Sequence, residues 1–319
     1  MADHSEIARA VACGAVVMIC GPTAGGKSGL ALALAERWGG VVINADSMQL
    51  YHDLRVLTAR PDDSDMARAQ HRLYGVIDGA TRASVASWLA MAADEVARAR
   101  ECHLLPIIVG GTGLYFQAAI NGIAPIPEVP ADIHKQCMDQ LAAQGGTAFR
   151  AALAQHDAVT AGRLHDGDSQ RLVRAMGVAL ATGRPLSAWQ TEQHKGAIDG
   201  IPVRIAMTPP RDHLYARINS RFESMMAQGA EDEVAALAAR RLDPSLPVMK
   251  AIGVREIMAF QAGDLSATQA VEKASRDSRR YAKRQMTWVR NNFNADFNLN
   301  TQYTERNIEE IFAILSKTG

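Results

Sequence analysis

Eight residues near the amino end, Gly21, Pro22, Thr23, Ala24, Gly25, Gly26, Lys27 and Ser28, fit the pattern G-x-x-x-x-G-K-[ST]. This pattern constrains fold as well as chemistry, because it works only where a strand leads in and a helix leads out. Both flanks comply. Ala15 to Cys20 is a short apolar run stopping at Gly21, the signature of a strand buried on both faces of a parallel sheet. The pattern after the loop predicts a helix from Ser28 to about Trp38. Glycines let such a loop curl so that backbone N–H groups converge on phosphate oxygens, and the helix N-terminus adds partial positive charge. Lys27 supplies a full charge, and the Ser28 hydroxyl is a candidate magnesium ligand. A diphosphate or triphosphate is the expected ligand.

Strand-like runs recur at Val41 to Ala45, Leu104 to Val109 and Ile201 to Met207. Between them Ser84 to Arg100 carries Val85, Trp88, Leu89, Ala92 and Val96 at helical spacing. Such alternation implies an α/β sheet with crossovers. From Pro125 to about Gly196 only helix signals are present, and strand character resumes at Ile201. The expected architecture is a P-loop NTPase-like parallel sheet flanked by helices, with an all-helical insertion domain. The core would span 14–124 and 197–319, and the insertion 125–196. Ser266 with Gln269 makes a capping box that opens a long helix towards Arg290. That helix holds Lys273, Arg276, Arg279, Arg280, Lys283, Arg284 and Arg290 against Glu272 and Asp277. It is the densest positive segment of the chain.

Lysine and arginine together number 34, as do aspartate and glutamate, so the net charge is zero. That excludes a uniformly basic surface but leaves room for a local basic patch. The cysteines (Cys13, Cys20, Cys102, Cys137) form no C-x-x-C pair, which argues against a zinc ribbon or a disulfide framework and fits a reducing cytoplasm. No apolar stretch reaches the ~18 to 20 residues of a membrane span. The opening residues are too polar for a secretory signal. A soluble cytoplasmic protein with no evident obligate protein partner is expected.

Asn44-Ala-Asp46 directly follows the second strand, and in an open α/β sheet the carboxyl ends of strands line the ligand crevice. Asp46 is therefore a candidate proton acceptor, or holder of a magnesium-bound water, unless it merely caps a loop. Gly110-Gly111-Thr112-Gly113 allows either close ligand approach or tight strand–helix packing. Arg217 and Arg221 lie four apart and share a helix face, as a phosphate fork or as a solvated face. No later strand ends in the Asp expected of a motor ATPase; Tyr74 to Asp78 is a weak substitute. The nine histidines show no metal-binding spacing.

Taken in order, GPTAGGKS, NADSMQLY (Asn44 to Tyr51), LTARP (Leu57 to Pro61), GGTGLYF (Gly110 to Phe116), DSQRLVRA (Asp168 to Ala175), RINSRFESMMAQGAEDEV (Arg217 to Val234), KAIGVRE (Lys250 to Glu256) and YAKRQMTWVR (Tyr281 to Arg290) resemble the bacterial tRNA dimethylallyltransferase family. The family is also called tRNA isopentenylpyrophosphate transferase. The resemblance implies transfer of a five-carbon allyl group from dimethylallyl diphosphate to N6 of the adenine 3′ of the anticodon, in tRNAs reading codons that start with U. It implies that Thr23, Lys27, the loop amides and magnesium at Ser28 bind the diphosphate. Arg221 matches the family's diphosphate-contacting arginine and Asp46 its general base. The extruded adenine would meet Asp46, Ser47, Met48 and Gln49, with Thr112 close by. The anticodon stem-loop would be gripped by Gln170, Arg171, Leu172, Val173 and Arg174, and by Lys250, Ala251, Ile252, Gly253, Val254 and Arg255. His134 stands at a tRNA-facing position where the family usually has Arg; Leu57 stands where Gly is common, Arg280 where Gln is common, and Gly25 where Ser often occurs. Rival readings are a nucleotide-type small-molecule kinase, an enzyme prenylating free AMP, and a non-enzymatic RNA-binding module.

Overall fold

Helix α1 (His4–Ala12) leads into strand β1 (Ala15–Cys20), followed by α2 (Lys27–Trp38), β2 (Gly40–Asn44), α3 (Asp63–Arg68), β3 (Gln70–Arg72), α4 (Val85–Glu101), β4 (Leu105–Gly110) and α5 (Gly113–Asn121). Helices α6 (Ala131–Ala154), α7 (Ala158–Arg163), α8 (Ser169–Thr182) and α9 (Leu186–Gln190) come next. The chain ends with β5 (Ile201–Met207), α10 (Arg211–Ala227), α11 (Ala230–Ala239), α12 (Val254–Gln261), α13 (Ala267–Asn292), β6 (Phe297–Leu299) and α14 (Glu305–Leu315). This computed structural model describes residues 4–192, 196–301 and 303–317. It divides into two units, Asn121–Ala197 and the remainder.

In the larger unit the strands form one parallel sheet, ordered β3-β2-β4-β1-β5-β6. Strands β1, β2 and β4 are buried at every residue, which is why they read as uninterrupted apolar runs. Val17 pairs with Ile107 on one side and Val203 on the other. The second strand begins one residue earlier than expected and stops at Asn44, before Ala45. Asn44 is fully buried; its side-chain amide donates to the carbonyls of Leu73 and Asp46 and its Oδ1 accepts from the Asp46 amide, while its own carbonyl accepts from Trp88 Nε1. The three-residue edge strands β3 and β6 were not expected from sequence. Ser84 caps α4 in a capping box with Ser87, and the buried face of that helix carries Trp88, Leu89, Ala92 and Val96. The capping box of Ser266 with Gln269 opens α13, as expected.

Strand β1 lies between β4 and β5, so the chain reverses its direction of travel across the sheet beside β1. Such a reversal opens a crevice at the carboxyl ends of the strands. Three loops converge there, those following β1, β2 and β4. Helices α1, α2 and α14 bury Ile7, Leu30, Leu34, Trp38, Ile311 and Leu315 with the sheet residues Val17, Ile19, Ile107 and Ile205. A second core joins Tyr51, Leu54 and Leu57 to residues of α10, α11 and α12.

The smaller unit is helical, with Phe149, Leu153, Leu172, Val173 and Met176 at its centre. Burial pushes the Asp157 carboxyl up, but hydrogen bonds from the amides and hydroxyls of Thr160 and Ser187 outweigh this and hold it below the usual carboxylate range. In the larger unit the Ile198 amide donates to the Ala119 carbonyl at 2.8 Å, so the segments flanking the helical unit meet directly. Among the described residues, no helix is long and apolar enough to cross a membrane. Among the described residues no two cysteines are joined by a disulfide.

Candidate active site

After β1 the chain turns tightly. The Gly25 amide donates to the Pro22 carbonyl at 3.0 Å, Ala24 takes a left-handed φ of 58°, and Gly26 caps α2. Lys27 Nζ donates to the Pro22 carbonyl at 2.7 Å. Burial lowers the Lys27 pKa to about 8, with Asp46 and Cys20 opposing the shift and Arg221 adding to it. The lysine therefore lies in a site that already disfavours cations, a condition that a bound anion relieves. Burial also lowers the Arg221 pKa, against Asp46 and together with Arg217.

A cavity of about 820 Å³ opens over this loop. Its walls bring together the residues Thr23 to Ser28, Asp46 and Gln49, and Arg217 and Arg221 from one face of α10. Gly21 and Pro22 are buried beneath. Five cations, Lys27, Arg55, Arg60, Arg217 and Arg221, face three carboxylates, Asp46, Asp62 and Asp65. Both arginines line the cavity, Arg221 half-buried and Arg217 exposed to solvent at its edge. An adjoining pocket of about 100 Å³ shares Thr23, Asp46 and Arg221 and is walled by Met48, Leu57, Ile218, Phe222, Ile252 and Tyr281. Asp46 Oδ1 accepts from the Met48 amide at 3.0 Å, and the Asp46 amide donates to Asn44 Oδ1 at 2.8 Å. The carboxylate is thereby held at the junction of a cationic and an apolar cavity.

The turn after β4 shows why its glycines are needed. A β-carbon on Gly111 would lie 2.1 Å from Gln285 Nε2, and one on Gly113 would lie 2.2 Å from the Trp288 ring. Here close packing of α13, not ligand approach, fixes the residue type. Thr112 Oγ1 accepts from the Ser47 amide at 3.0 Å, and the Thr112 amide donates to the Ala45 carbonyl at 3.2 Å. Tyr281 hydrogen-bonds Thr112, and its phenol is pushed above its usual range by burial and by the charge of Asp46.

Other expected positions need trimming. Gln49 spends its amide on the carbonyls of Thr58 and Ala59. Lys250 and Arg255 are exposed, Ala251 and Ile252 line the small pocket, and Gly253 and Val254 are buried. In the smaller unit His134, Gln170, Arg171 and Arg174 are exposed, whereas Leu172 and Val173 are core residues. The side chains of Leu172, Val173 and Val254 are committed to packing and are not surfaces for a polyanion. Asp78 is no substitute for a strand-end carboxylate. It is taken up by the Ala80 amide first, then by Arg240 and His52, which together lower its pKa to about 2.

Sequence reasoning missed two residues. Glu233 accepts the amides of Arg55, Val56 and Leu57 at 2.7, 2.7 and 3.0 Å, fixing the loop that supplies Arg55, Leu57 and Arg60 to the two cavities. Gln285 is buried on α13 and bonds both the phosphate loop and the turn after β4. Its position four residues after Tyr281 and three before Trp288 was the available signal, since these share a helix face.

Among the described residues no group of three or more His, Cys, Asp or Glu could hold a metal ion. A divalent cation here would take the exposed Ser28 hydroxyl and complete its shell with phosphate oxygens and water. That donor set suits magnesium, which keeps several waters and uses few protein ligands.

Residues 49–292 match the family model described as IPP transferase. The chain is 47% identical over 296 residues to a tRNA dimethylallyltransferase of Paramagnetospirillum magneticum, covering 93% of this chain and 94% of that protein. The crystal structure of a tRNA isopentenylpyrophosphate transferase from Bacillus halodurans superposes with a TM-score of 0.67 at 31% identity, covering 95% of this chain and 96% of that one. A eukaryotic dimethylallyltransferase captured acting on tRNA shares the fold, with a TM-score of 0.74 at 24% identity over 86% of this chain and 70% of that one. With the phosphate loop, the arginine pair and the carboxylate assembled at one crevice, these matches converge: the chain belongs to the IPP transferase family.

Proposed function

We propose that this protein transfers the dimethylallyl group of dimethylallyl diphosphate to N6 of the adenine 3′ of the anticodon, in tRNAs reading codons that start with U, and releases diphosphate. The observation that carries this reading is the junction of the two cavities, where Thr23, Asp46 and Arg221 serve both. The cationic side suits a diphosphate, and the small apolar side suits a branched five-carbon chain. Lys27, Arg217 and Arg221 offer charge where the departing diphosphate becomes more negative as the C–O bond breaks. The allylic carbon tolerates the resulting positive charge by delocalisation. Asp46, at the junction, orients the adenine amine and takes its proton. Magnesium held at Ser28 would add neutralising charge on the leaving group.

An adenine must leave the anticodon stack to reach such a crevice. The exposed cations of α13, with Lys250 and Arg255, suit the phosphates of the stem-loop; Gln170, Arg171, Arg174 and His134 of the smaller unit are its proposed further contacts. A tRNA acceptor places the work in the cytoplasm. The kinase alternative is the weaker reading, because the relatives that this chain matches over most of its length are tRNA dimethylallyltransferases.

Labelled dimethylallyl diphosphate offered with unmodified tRNA, AMP or adenosine tests the reading. Label is expected in tRNA alone, and label in AMP but not tRNA reverses the acceptor assignment. Asp46→Ala is expected to lower kcat by about a hundredfold or more while leaving diphosphate affinity unchanged or slightly tighter. Near-normal turnover in that variant removes Asp46 as the base.

A further inference from the structure

The two halves of the proposed reaction, leaving group and base, sit on different loops. The Thr23 amide does not face the phosphate cradle; it donates to Gln285 Oε1 at 2.8 Å. Gln285 Nε2 in turn donates to the Gly111 carbonyl at 2.9 Å. One residue along, Thr112 bonds the Ala45 carbonyl through its amide and the Ser47 amide through its hydroxyl, so it braces the chain on both sides of Asp46. A continuous link thus runs from Thr23 through Gln285, Gly111 and Thr112 to Asp46.

We propose that Gln285 is a positioning residue that fixes the phosphate loop at a set distance from Asp46, so that the leaving-group cradle and the base act on one substrate geometry. The kinetic part of this proposal rests on the transferase reading above; the binding part does not. The residue type follows from its partners. The position must accept from one backbone amide and donate to one backbone carbonyl, and a primary amide does both at once. Glutamate offers acceptors only, and lysine donors only. Gln285 is 5% exposed, so water is poorly placed to replace either bond. The seat of α13 does not depend on it: Trp288 packs on Gly113, Tyr281 bonds Thr112, and Ala282 packs with Leu214 and Ile218. Removing the amide should therefore loosen the link and leave the helix in place.

The test compares Gln285→Met, similar in volume but without the two polar groups, with wild type and with Thr112→Val. Binding of inorganic diphosphate is measured by calorimetry without RNA, and transfer from dimethylallyl diphosphate to unmodified tRNA by steady-state kinetics. Gln285→Met is expected to weaken diphosphate about tenfold and to lower kcat at least tenfold, with tRNA affinity within twofold of wild type. Thr112→Val, which removes the hydroxyl beside Asp46 but leaves both Gln285 bonds and the Trp288 and Ala282 contacts of α13 in place, is expected to lower kcat while leaving diphosphate affinity within twofold. A folded Gln285→Met protein with diphosphate affinity and kcat both within twofold of wild type overturns the proposal. Hydrogen exchange on the wild-type protein decides independently of any variant: the Thr23 amide is expected to be protected without ligand, and rapid exchange there also overturns it. If wild type transfers no label to tRNA the transferase reading fails, while diphosphate binding and amide exchange still decide the role of Gln285.

Discussion

Lys27 answers to two opposed demands. Burial favours its neutral form, and the work of holding a diphosphate needs the charged one. In the ligand-free protein the ammonium titrates near pH 8, so its charge is present below that pH and is lost above it. The KM for dimethylallyl diphosphate is therefore expected to rise between pH 8 and 9.5, approaching about tenfold per unit. Lys27→Met should raise KM at pH 7 and flatten the profile, which separates the lysine from ionisation of the substrate. A wild-type KM that is level across this range contradicts the assignment. The stability sign is the reverse of a salt-bridged lysine. The folded-state value lies below the ordinary 10.5, so the unfolded chain holds the proton longer and stability rises with pH from about 8 towards 10.5. The difference between wild-type and Lys27→Met urea midpoints at pH 7.5 and 9.5 reads this out.

Among the elements, the loop Arg55 to Arg60 depends on a carboxylate from elsewhere. Glu233, in the first turn of α11, gathers three successive amides of that loop. Glu233→Ala leaves them without a partner and is expected to cost about 2 kcal/mol in urea unfolding, with a raised KM for the diphosphate substrate. A loss below about 0.5 kcal/mol means that water replaces the carboxylate without penalty. Helix α13 works through both faces. Tyr281, Gln285 and Trp288 meet the turn after β4, while Lys273, Arg276, Arg280, Lys283, Arg284 and Arg290 are exposed. Lys283→Ala and Arg290→Ala are each expected to weaken tRNA binding at all sequences and to reduce the slope of log affinity against log salt by roughly one. An unchanged slope removes these side chains from the phosphate contacts. Strand β1 was legible because burial on both faces leaves a pure signal. Strand β5 has the expected bounds although Ile201 is exposed and Arg204 half-buried, its apolar run being closed by Gly200 and Pro209, and α4 and α13 declare themselves by serine caps. Strand β3 was not legible, because Gln70-His71-Arg72 sits at a sheet edge and only His71 is buried. Lys27 was visible from the phosphate-loop pattern, whereas Asp46 and Arg221 had structural alternatives and were singled out only by the family resemblance. Gln285 was not, since its meaning lies in partners 262 and 174 residues away.

At the scale of the whole molecule, zero net charge conceals an uneven distribution, with cations concentrated on α13 and around the larger cavity. The helical unit Asn121–Ala197 is internally packed around its own core. A chain in which this unit is replaced by a short glycine-serine linker is expected to melt cooperatively and to bind inorganic diphosphate within threefold of the full protein. Transfer to tRNA should fall more than a hundredfold. Failure of the shortened chain to fold shows that the sheet unit needs the insert, and retained transfer removes the insert from acceptor recognition. The hydrogen bond between Ile198 and Ala119 has a longer reach than this one experiment. A host that closes behind its guest can let the guest vary in length and sequence, generation after generation, without disturbing the chemistry it carries. One catalytic frame can in this way be fitted to new partners by exchanging a single cassette.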